Sequence, residues 1–484
     1  MTLTTIQRDR AIGAILGMAC GDALGAPYEF KPPVSPEKEI VMKAGGGWAL
    51  GEWTDDTSMA IAILKPMSEG KYLREPGVMD SIVAAWSEWA KTAPDVGMQT
   101  RAVLSQAATA DVAGVIAASK ALHEKTGRTA GNGSLMRTSP VAIAALGSGM
   151  LTAELAIELS KLTHWDHDAT HACILWCLAI RHAVSGGGLD IRAGLPYLES
   201  YSAQRWEDLI SEAEANEPAY FAHNGWVVHA FQAAWSAIYR AKNAPATMFR
   251  HEADRLAYGL EQAVRAGYDT DTVAAIAGSL LGAHYGYTAI PLTWRTKLHG
   301  WPGIGERQLV AMVNSALNRD EDINAWPNIS HMDYSGWGLK ERLFQHPGDP
   351  GLWLGGAGSL SKLPPEVTAV VSLCRMGRDD VPQHISERIE IMLLDEPSAD
   401  KNLNLEFLLD DVAAAVAELR ARGEVVFLHC VQAESRTPAV ALAYSVNVLG
   451  RSFSEAKAEL AEVFEGGLPR NRYFQEVLKR SYGQ

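Results

Sequence analysis

The sequence predicts a two-part protein: an all-α bundle followed by an α/β domain on a mainly parallel central sheet. Three observations carry this. The chain has 484 residues, too many for one ordinary domain at ~150 residues each. From residue 7 to about 320, apolar positions recur every three or four residues, the period of a helix. Beyond that point, short β-type runs alternate with helical ones, the pattern of a parallel sheet with crossover helices. With 47% apolar and 21% charged residues, the chain has enough to bury a core in each part.

In the first part, MDSIVAAWSEWAKTA, NGWVVHAFQAAWSAIYRAKNA and DTVAAIAGSLLGAHYG show the helical period. Many such segments are rich in Ala and Gly, and small residues permit close helix contact. No alternating strand-length run stands out there, and no internal repeat. WPNISHMDYSGWGLKERLFQHPGDPG, rich in Pro, Gly, Asn and Trp, reads as a linker or crossing loop. Strands follow at LWLGG (352–356), VTAVVSL (367–373) and IEIMLL (389–394). A helix is expected over 404–422, then a strand at VVFLHC (425–430). The expected division is a bundle over 1–325, a linker over 326–339 and the α/β domain over 340–484.

Charge narrows the partners. Against 57 Asp and Glu stand 43 Lys and Arg, leaving −14. So acidic a chain has no global basic footprint for nucleic acid or anionic membranes, so neither is expected as a partner. A local pocket for one phosphate remains compatible with it. Five cysteines, an odd number, argue against a disulfide scaffold and point to a reducing cytoplasm. No run of about eighteen apolar residues predicts a membrane span. Arg8 and Arg10 before AIGAILGMAC imitate a short lipoprotein signal ending at Cys20. Gly17 stands where such a signal wants Leu, and Asp22 ends the apolar run.

In the second part, VVFLHCVQAESRTPAVALAYSV carries His429, Cys430, Ser435 and Arg436. An apolar strand ends at the Cys, five residues intervene, and Arg precedes a helix opened by Thr437 and Pro438. Phosphoryl transfer to sulfur needs this arrangement. Backbone N–H groups at a helix N-terminus face a bound dianion, and the same field favours a Cys430 thiolate nucleophile. Arg436 would hold two phosphate oxygens, and Ser435 would stabilise the leaving thiolate. Asp395, on the loop after a strand, is the candidate general acid, with Asp400 its competitor. The bland alternative is a buried structural Cys with an Arg capping a turn. Residues 340–484 resemble a dual-specificity (tyrosine-type) protein phosphatase through LWLGGAGSLSKLPPEVTAVVSLC, LLDEPSADKN and HCVQAESRT. That resemblance implies hydrolysis of a phosphorylated protein or a small phosphate monoester. The sequence departs from the family at Ala433, where Gly is usual, and places Glu434 beside an anion site. A pseudoenzyme therefore stays open.

In the first part, two acidic clusters each precede a small-residue helix: Thr54-Asp55-Asp56-Thr57 and Asp269-Thr270-Asp271-Thr272. Oxygen-only donors suit a hard cation such as Mg²⁺ or Mn²⁺, and four carboxylates suit two ions. Either cluster alone reads more simply as ordinary helix capping, and it is the match of two that points to metal. With GDALGAPYEF, GNGSLMRTSP and LTHWDHDAT, in this order along residues 8–310, the clusters resemble the ADP-ribosylglycohydrolase family. That group includes dinitrogenase reductase-activating glycohydrolases and ADP-ribosyl-arginine hydrolases.

The resemblance implies an all-α domain with two divalent metals, Mg²⁺ or Mn²⁺. Thr54, Asp55, Asp56, Asp269, Asp271 and Thr272 would be ligands. Glu29 would activate water or engage the ribose, with Asp22 supporting its loop. Gly131, Asn132, Gly133 and Ser134 would cradle the diphosphate of ADP-ribose through backbone N–H groups. His164 would contact the nucleotide, and Asp95 would face the substrate arginine. The implied activity is release of ADP-ribose from a modified acceptor, most simply protein arginine. An ADP-ribose reader without catalysis, and hydrolysis of an ADP-ribosylated nucleic acid or small molecule, stay open. The spacing of His164, His167 and His171 places them near one helix face, which a zinc ion would accept; one ligand-contacting His beside two ordinary ones is the bland alternative.

Overall fold

Close backbone contact between two helices organises the first part. In the computed structural model, which describes residues 3–318, 326 and 328–483, α1 (Thr5–Gly25) opens on a capping box formed by Thr4 and Gln7 and is buried along nearly its whole length. It lies beside α2 (Asp55–Ser68) and runs antiparallel to α3 (Thr270–Tyr285). Gly13, Gly17 and Gly21 of α1 face Gly282, Gly278 and Ala274 of α3. A Cβ on Gly17 would lie 2.3 Å from the Gly278 oxygen, and one on Gly21 2.0 Å from the Ala274 oxygen. Only hydrogen fits in this seam. It also brings the C-terminal end of α1 against the N-terminal end of α3.

Contrary to the expectation from its apolar run, α1 is long and apolar enough to cross a membrane; its most apolar window is wholly buried within the protein. A second departure is a small antiparallel pairing of His299–Gly300 with Ile304–Gly305 in the otherwise helical region.

The chain forms two compact units, Met1–Ile290 with Lys297–Glu321, and Pro291–Thr296 with Asp322–Gln484. The short visit at Pro291–Thr296 has a local cause. Leu292 is buried in the second unit's core, and its N–H donates to Asp411 Oδ2 at 3.0 Å. The boundary expected at residue 325 falls outside the described residues.

The second unit holds a five-stranded sheet, β1 (Leu343–His346), β2 (Asp349–Gly356), β3 (Ala369–Ser372), β4 (Glu387–Glu390) and β5 (Val426–Cys430). Its order is β1-β2-β5-β3-β4. β1 and β2 pair antiparallel and all other neighbours parallel. Val371 and Leu428 pack on one face against α4 (Leu405–Ala421) and α5 (Arg436–Asn447). Val370 and Phe427 pack on the other against Leu360, Met376 and Ile385. The strand expected over 389–394 stops at Glu390. Beyond it the Asn402 amide takes both backbone groups of Leu394, each at 2.9 Å, which draws the chain away from the sheet. α5 starts at Arg436, one residue before the expected Thr437.

Candidate functional site

In the first unit an acidic cleft forms where α1 ends and α2 and α3 begin. Asp22, in the last turn of α1, fixes the start of α2. Its Oδ1 accepts from the Thr54 N–H (2.9 Å) and hydroxyl (2.8 Å), and its Oδ2 from the Thr57 N–H (3.0 Å) and hydroxyl (2.6 Å). Both oxygens are thereby engaged, so Asp22 positions the Thr-Asp-Asp-Thr turn. Burial raises its carboxyl to about 6, although these four bonds favour the ionised form.

The two clusters meet. Thr272 Oγ, in α3, donates to Asp56 Oδ2 at 3.4 Å, and Thr54 Oγ lies 3.2 Å from the same oxygen. Glu29, Asp269 and Asp271 each present an oxygen within 4.8 Å of the others. Burial, then mutual repulsion, raises Asp55, Asp56 and Asp271 well above the usual carboxylate range. Glu29 is pushed to about 8 by burial and by the charges of Asp269, Asp95 and Asp22. Asp56 Oδ1 and Asp95 Oδ2 are buried without a hydrogen-bond partner. Orphaned acceptors in an all-oxygen donor set fit hard divalent cations. Cations there would reverse the repulsion that holds these groups toward protonation.

The turn at Gly131–Ser134 borders this cleft. Asn132 Nδ2 donates to Asp269 Oδ2 at 2.8 Å and so ties the turn to the carboxylates. Two of the N–H groups expected to face a diphosphate are already engaged: Gly131 with Gln99 Oε1 at 3.4 Å and Asn132 with the Gly225 oxygen at 3.2 Å. The Ser134 side chain is fully buried and its hydroxyl accepts from Ser160 Oγ at 3.0 Å. His164 Nε2 lies 3.3 Å from where a Cβ on Gly131 or Gly133 would sit.

The three histidines do not share one helix. The helix His167–Val184 starts after His164. His164 is 1% exposed, whereas the His167 and His171 rings, 6.0 Å apart, sit on that helix. Asn224, not among the residues expected from the sequence, also holds this cleft: its Oδ1 accepts from the Asp269 N–H (3.2 Å) and its Nδ2 donates to the Gly267 oxygen (2.9 Å). Its one local signal is the second Asn-Gly pair, at 224–225.

The second unit carries the other candidate site. Cys430 ends β5 and is 2% exposed. Behind it, the His429 ring stacks on Phe427 at 5.0 Å. Its Nδ1 donates to the Cys430 oxygen (3.2 Å), and its Nε2 accepts from Ser372 Oγ (2.7 Å). Ala433 adopts φ +56°, the left-handed region that explains why Gly is usual there. Glu434 does not confront an anion: Arg342 (3.0 Å) and Arg470 (2.8 Å) hold its carboxylate. Burial would raise that carboxyl, but the two arginines hold it below its ordinary range. Arg436 donates to the oxygens of Leu373 (2.9 Å) and Leu393 (3.1 Å), and its Nε is buried without a partner. Ser435 takes the N-cap position of α5 without a capping bond. Asp395 is exposed and accepts from Asn471 Nδ2 at 3.0 Å; Asp400, also exposed, bonds Ser398. Arg342, Arg470 and Asn471 carried no sequence signal, because they come from distant segments.

Known proteins match both units. The sequence model of the ADP-ribosylglycohydrolase family matches residues 3–323. ADP-ribosylarginine hydrolase Tri1 of Pseudomonas putida (strain GB-1) is 30% identical over 314 residues, 61% of this chain and 76% of that protein. ADP-ribosyl-[dinitrogen reductase] glycohydrolase of Rhodospirillum rubrum is 30% identical over 305 residues, 60% of this chain and 90% of that protein. The solved structure of human DUSP28 matches 30% of this chain and 95% of its own, at 22% identity and a TM-score of 0.26.

Proposed function

We propose, from the premise that this chain belongs to the ADP-ribosylglycohydrolase family, that its first unit hydrolyses the bond between ADP-ribose and a protein arginine. The meeting of the two acidic clusters carries this reading, with Asp56 Oδ1 and Asp95 Oδ2 left without donors. The names of the two relatives, one an ADP-ribosylarginine hydrolase and one acting on ADP-ribosyl-dinitrogen reductase, support a protein substrate. Thr54, Asp55, Asp56, Asp269, Asp271 and Thr272 would hold Mg²⁺ or Mn²⁺, which supplies Lewis acidity toward the ribose hydroxyls and a water.

The chain's own groups do the rest. Asp22 and Asn132 hold the carboxylates in place. The diphosphate would lie at the Gly131–Gly133 turn beside His164, with the Gly131 and Asn132 N–H groups kept by their partners within the protein. Water attacks the anomeric carbon as its bond to the guanidine nitrogen breaks. Glu29 takes a proton from that water and returns one to the departing nitrogen. Asp95 pairs with the guanidinium and aligns it. The test compares ADP-ribosyl-arginine with ADP-ribosyl-serine peptides. Only the arginine peptide is expected to turn over. Asp95→Asn is expected to slow turnover at least tenfold while free ADP-ribose binds as before. Preference for serine, or an unaffected Asp95→Asn enzyme, would refute the acceptor assignment.

A second activity is favoured by the loop after β5, which runs from Cys430 to the N-terminus of α5, where Arg436 Nε is buried without a partner. In this reading Cys430 attacks the phosphorus of a monoester, Asp395 protonates the leaving oxygen, and water then cleaves the thiophosphate with Ser435 supporting the departing sulfur. The substrate would be a phosphorylated protein or a small phosphate monoester. Hydrolysis of an aryl phosphate that vanadate inhibits and Cys430→Ser abolishes is expected; its absence would leave the loop a phosphate-binding element.

A further inference from the structure

A buried arginine outside the acidic set has an ordered set of contacts leading to the ligand turn. Arg137 is fully buried. Its guanidinium lies 4.0 Å over the Trp86 ring, and Trp86 Nε1 donates to the Met59 oxygen in α2 at 3.0 Å. Arg137 Nη2 donates to Thr163 Oγ at 2.6 Å, and Thr163 Oγ lies 2.8 Å from His164 Nδ1. Arginine can only donate, so Thr163 Oγ must accept from it. The single hydroxyl proton then needs an acceptor, and among the described residues His164 Nδ1 is the one within reach. A proton on Nδ1 would aim two donors at one hydroxyl and leave the hydroxyl's own proton unplaced. The ring proton therefore belongs on Nε2, which has no partner among the described residues and points into the Gly131–Gly133 turn. Burial and then the Arg137 charge lower the imidazole's pKa well below its ordinary value, which keeps the ring neutral.

We propose that Arg137 and Thr163 are positioning residues that lock His164 as the neutral Nε2–H tautomer, making it a fixed donor to a phosphate oxygen of ADP-ribose in the 131–134 turn. The donor role rests on reading that turn as the diphosphate site; the tautomer does not. A wrong tautomer would aim a lone pair at a phosphate oxygen, so the lock sets the sign of this contact. Arg137 also touches α2 through Met59 Sδ at 3.5 Å, which joins the turn to the helix bearing Asp55 and Asp56.

The experiment uses the full chain with histidine-selective ¹⁵N labelling, together with calorimetric titration of ADP-ribose. The wild-type spectrum should show His164 neutral and protonated on Nε2 without ligand, with its signal moving when ADP-ribose binds. Thr163→Val keeps the shape and removes the relay. It should shift the tautomer and weaken ADP-ribose at least tenfold, with turnover losing KM more than kcat. Thr163→Ser should restore both within about twofold. A proton on Nδ1 in the wild type overturns the lock, as do an unchanged tautomer and affinity in Thr163→Val. A wild type that shows the Nε2–H tautomer but binds no ADP-ribose would overturn the diphosphate reading and the donor role, while the lock itself stands.

Discussion

Asp22 and Asn132 are not proposed cation ligands, yet they hold the proposed ligands in place. Asp22 accepts four hydrogen bonds from Thr54 and Thr57. An amide in its place would turn one acceptor oxygen into a donor facing donors. Asp22→Asn is expected to cost about 2–4 kcal/mol of stability in chemical denaturation, the range for a broken buried network, and to reduce ADP-ribose release at least a hundredfold. Loss of activity with unchanged stability would assign Asp22 a direct catalytic role instead. His429 gives the second unit a pH dependence. Its folded pKa is held near 4 by burial, despite a favourable bond to the Cys430 oxygen. The folded state then binds fewer protons than the unfolded one between pH 6.5 and about 4. Stability is complete above 6.5 and falls as pH drops through that window, by up to about 3 kcal/mol for this residue. Denaturation of wild type and His429→Gln at pH 7 and 4.5 checks this: the gap between them should narrow at the lower pH.

At the scale of elements, the seam between α1 and α3 places Asp22 and Glu29 beside Asp269 and Asp271. Gly17→Ala would set a methyl carbon 2.3 Å from the Gly278 oxygen, a contact only helix separation can relieve. It is expected to destabilise the first unit by about 3 kcal/mol or more, visible as a lowered denaturation midpoint. A neutral effect would mean that the helices part easily. The helices and their small residues were legible in the sequence, since a 3.6-residue period survives without tertiary information. Which small residues meet was not, because the pairing of 13, 17 and 21 with 282, 278 and 274 spans the whole bundle. The acidic clusters were legible as motifs. Asn224, Gln99 and the Arg137–Thr163 relay were not separable from ordinary polar residues until the fold brought them together. In the second unit the strand–Cys–loop–Arg–helix order was legible, and Ala433 was suspect from its position. The arginines that neutralise Glu434 come from residues 342 and 470, so sequence proximity could not reveal them.

For the whole molecule, each unit has its own candidate site and its own buried residues, so the two proposed chemistries should be separable in the intact chain. Cys430→Ser is expected to leave ADP-ribose release within about twofold of wild type, and Asp269→Ala/Asp271→Ala to leave aryl phosphate hydrolysis equally unaffected. Loss of both activities in either variant would show that the sites depend on each other. A cation-dependent hydrolase is tested by release of free ADP-ribose from mono-ADP-ribosyl-arginine protein, with Mg²⁺ and with chelator, by wild type and by Asp269→Ala/Asp271→Ala. Release is expected from wild type with Mg²⁺ and from no other combination. Release that persists in chelator or in the double variant would contradict a cation-dependent hydrolase built on these carboxylates.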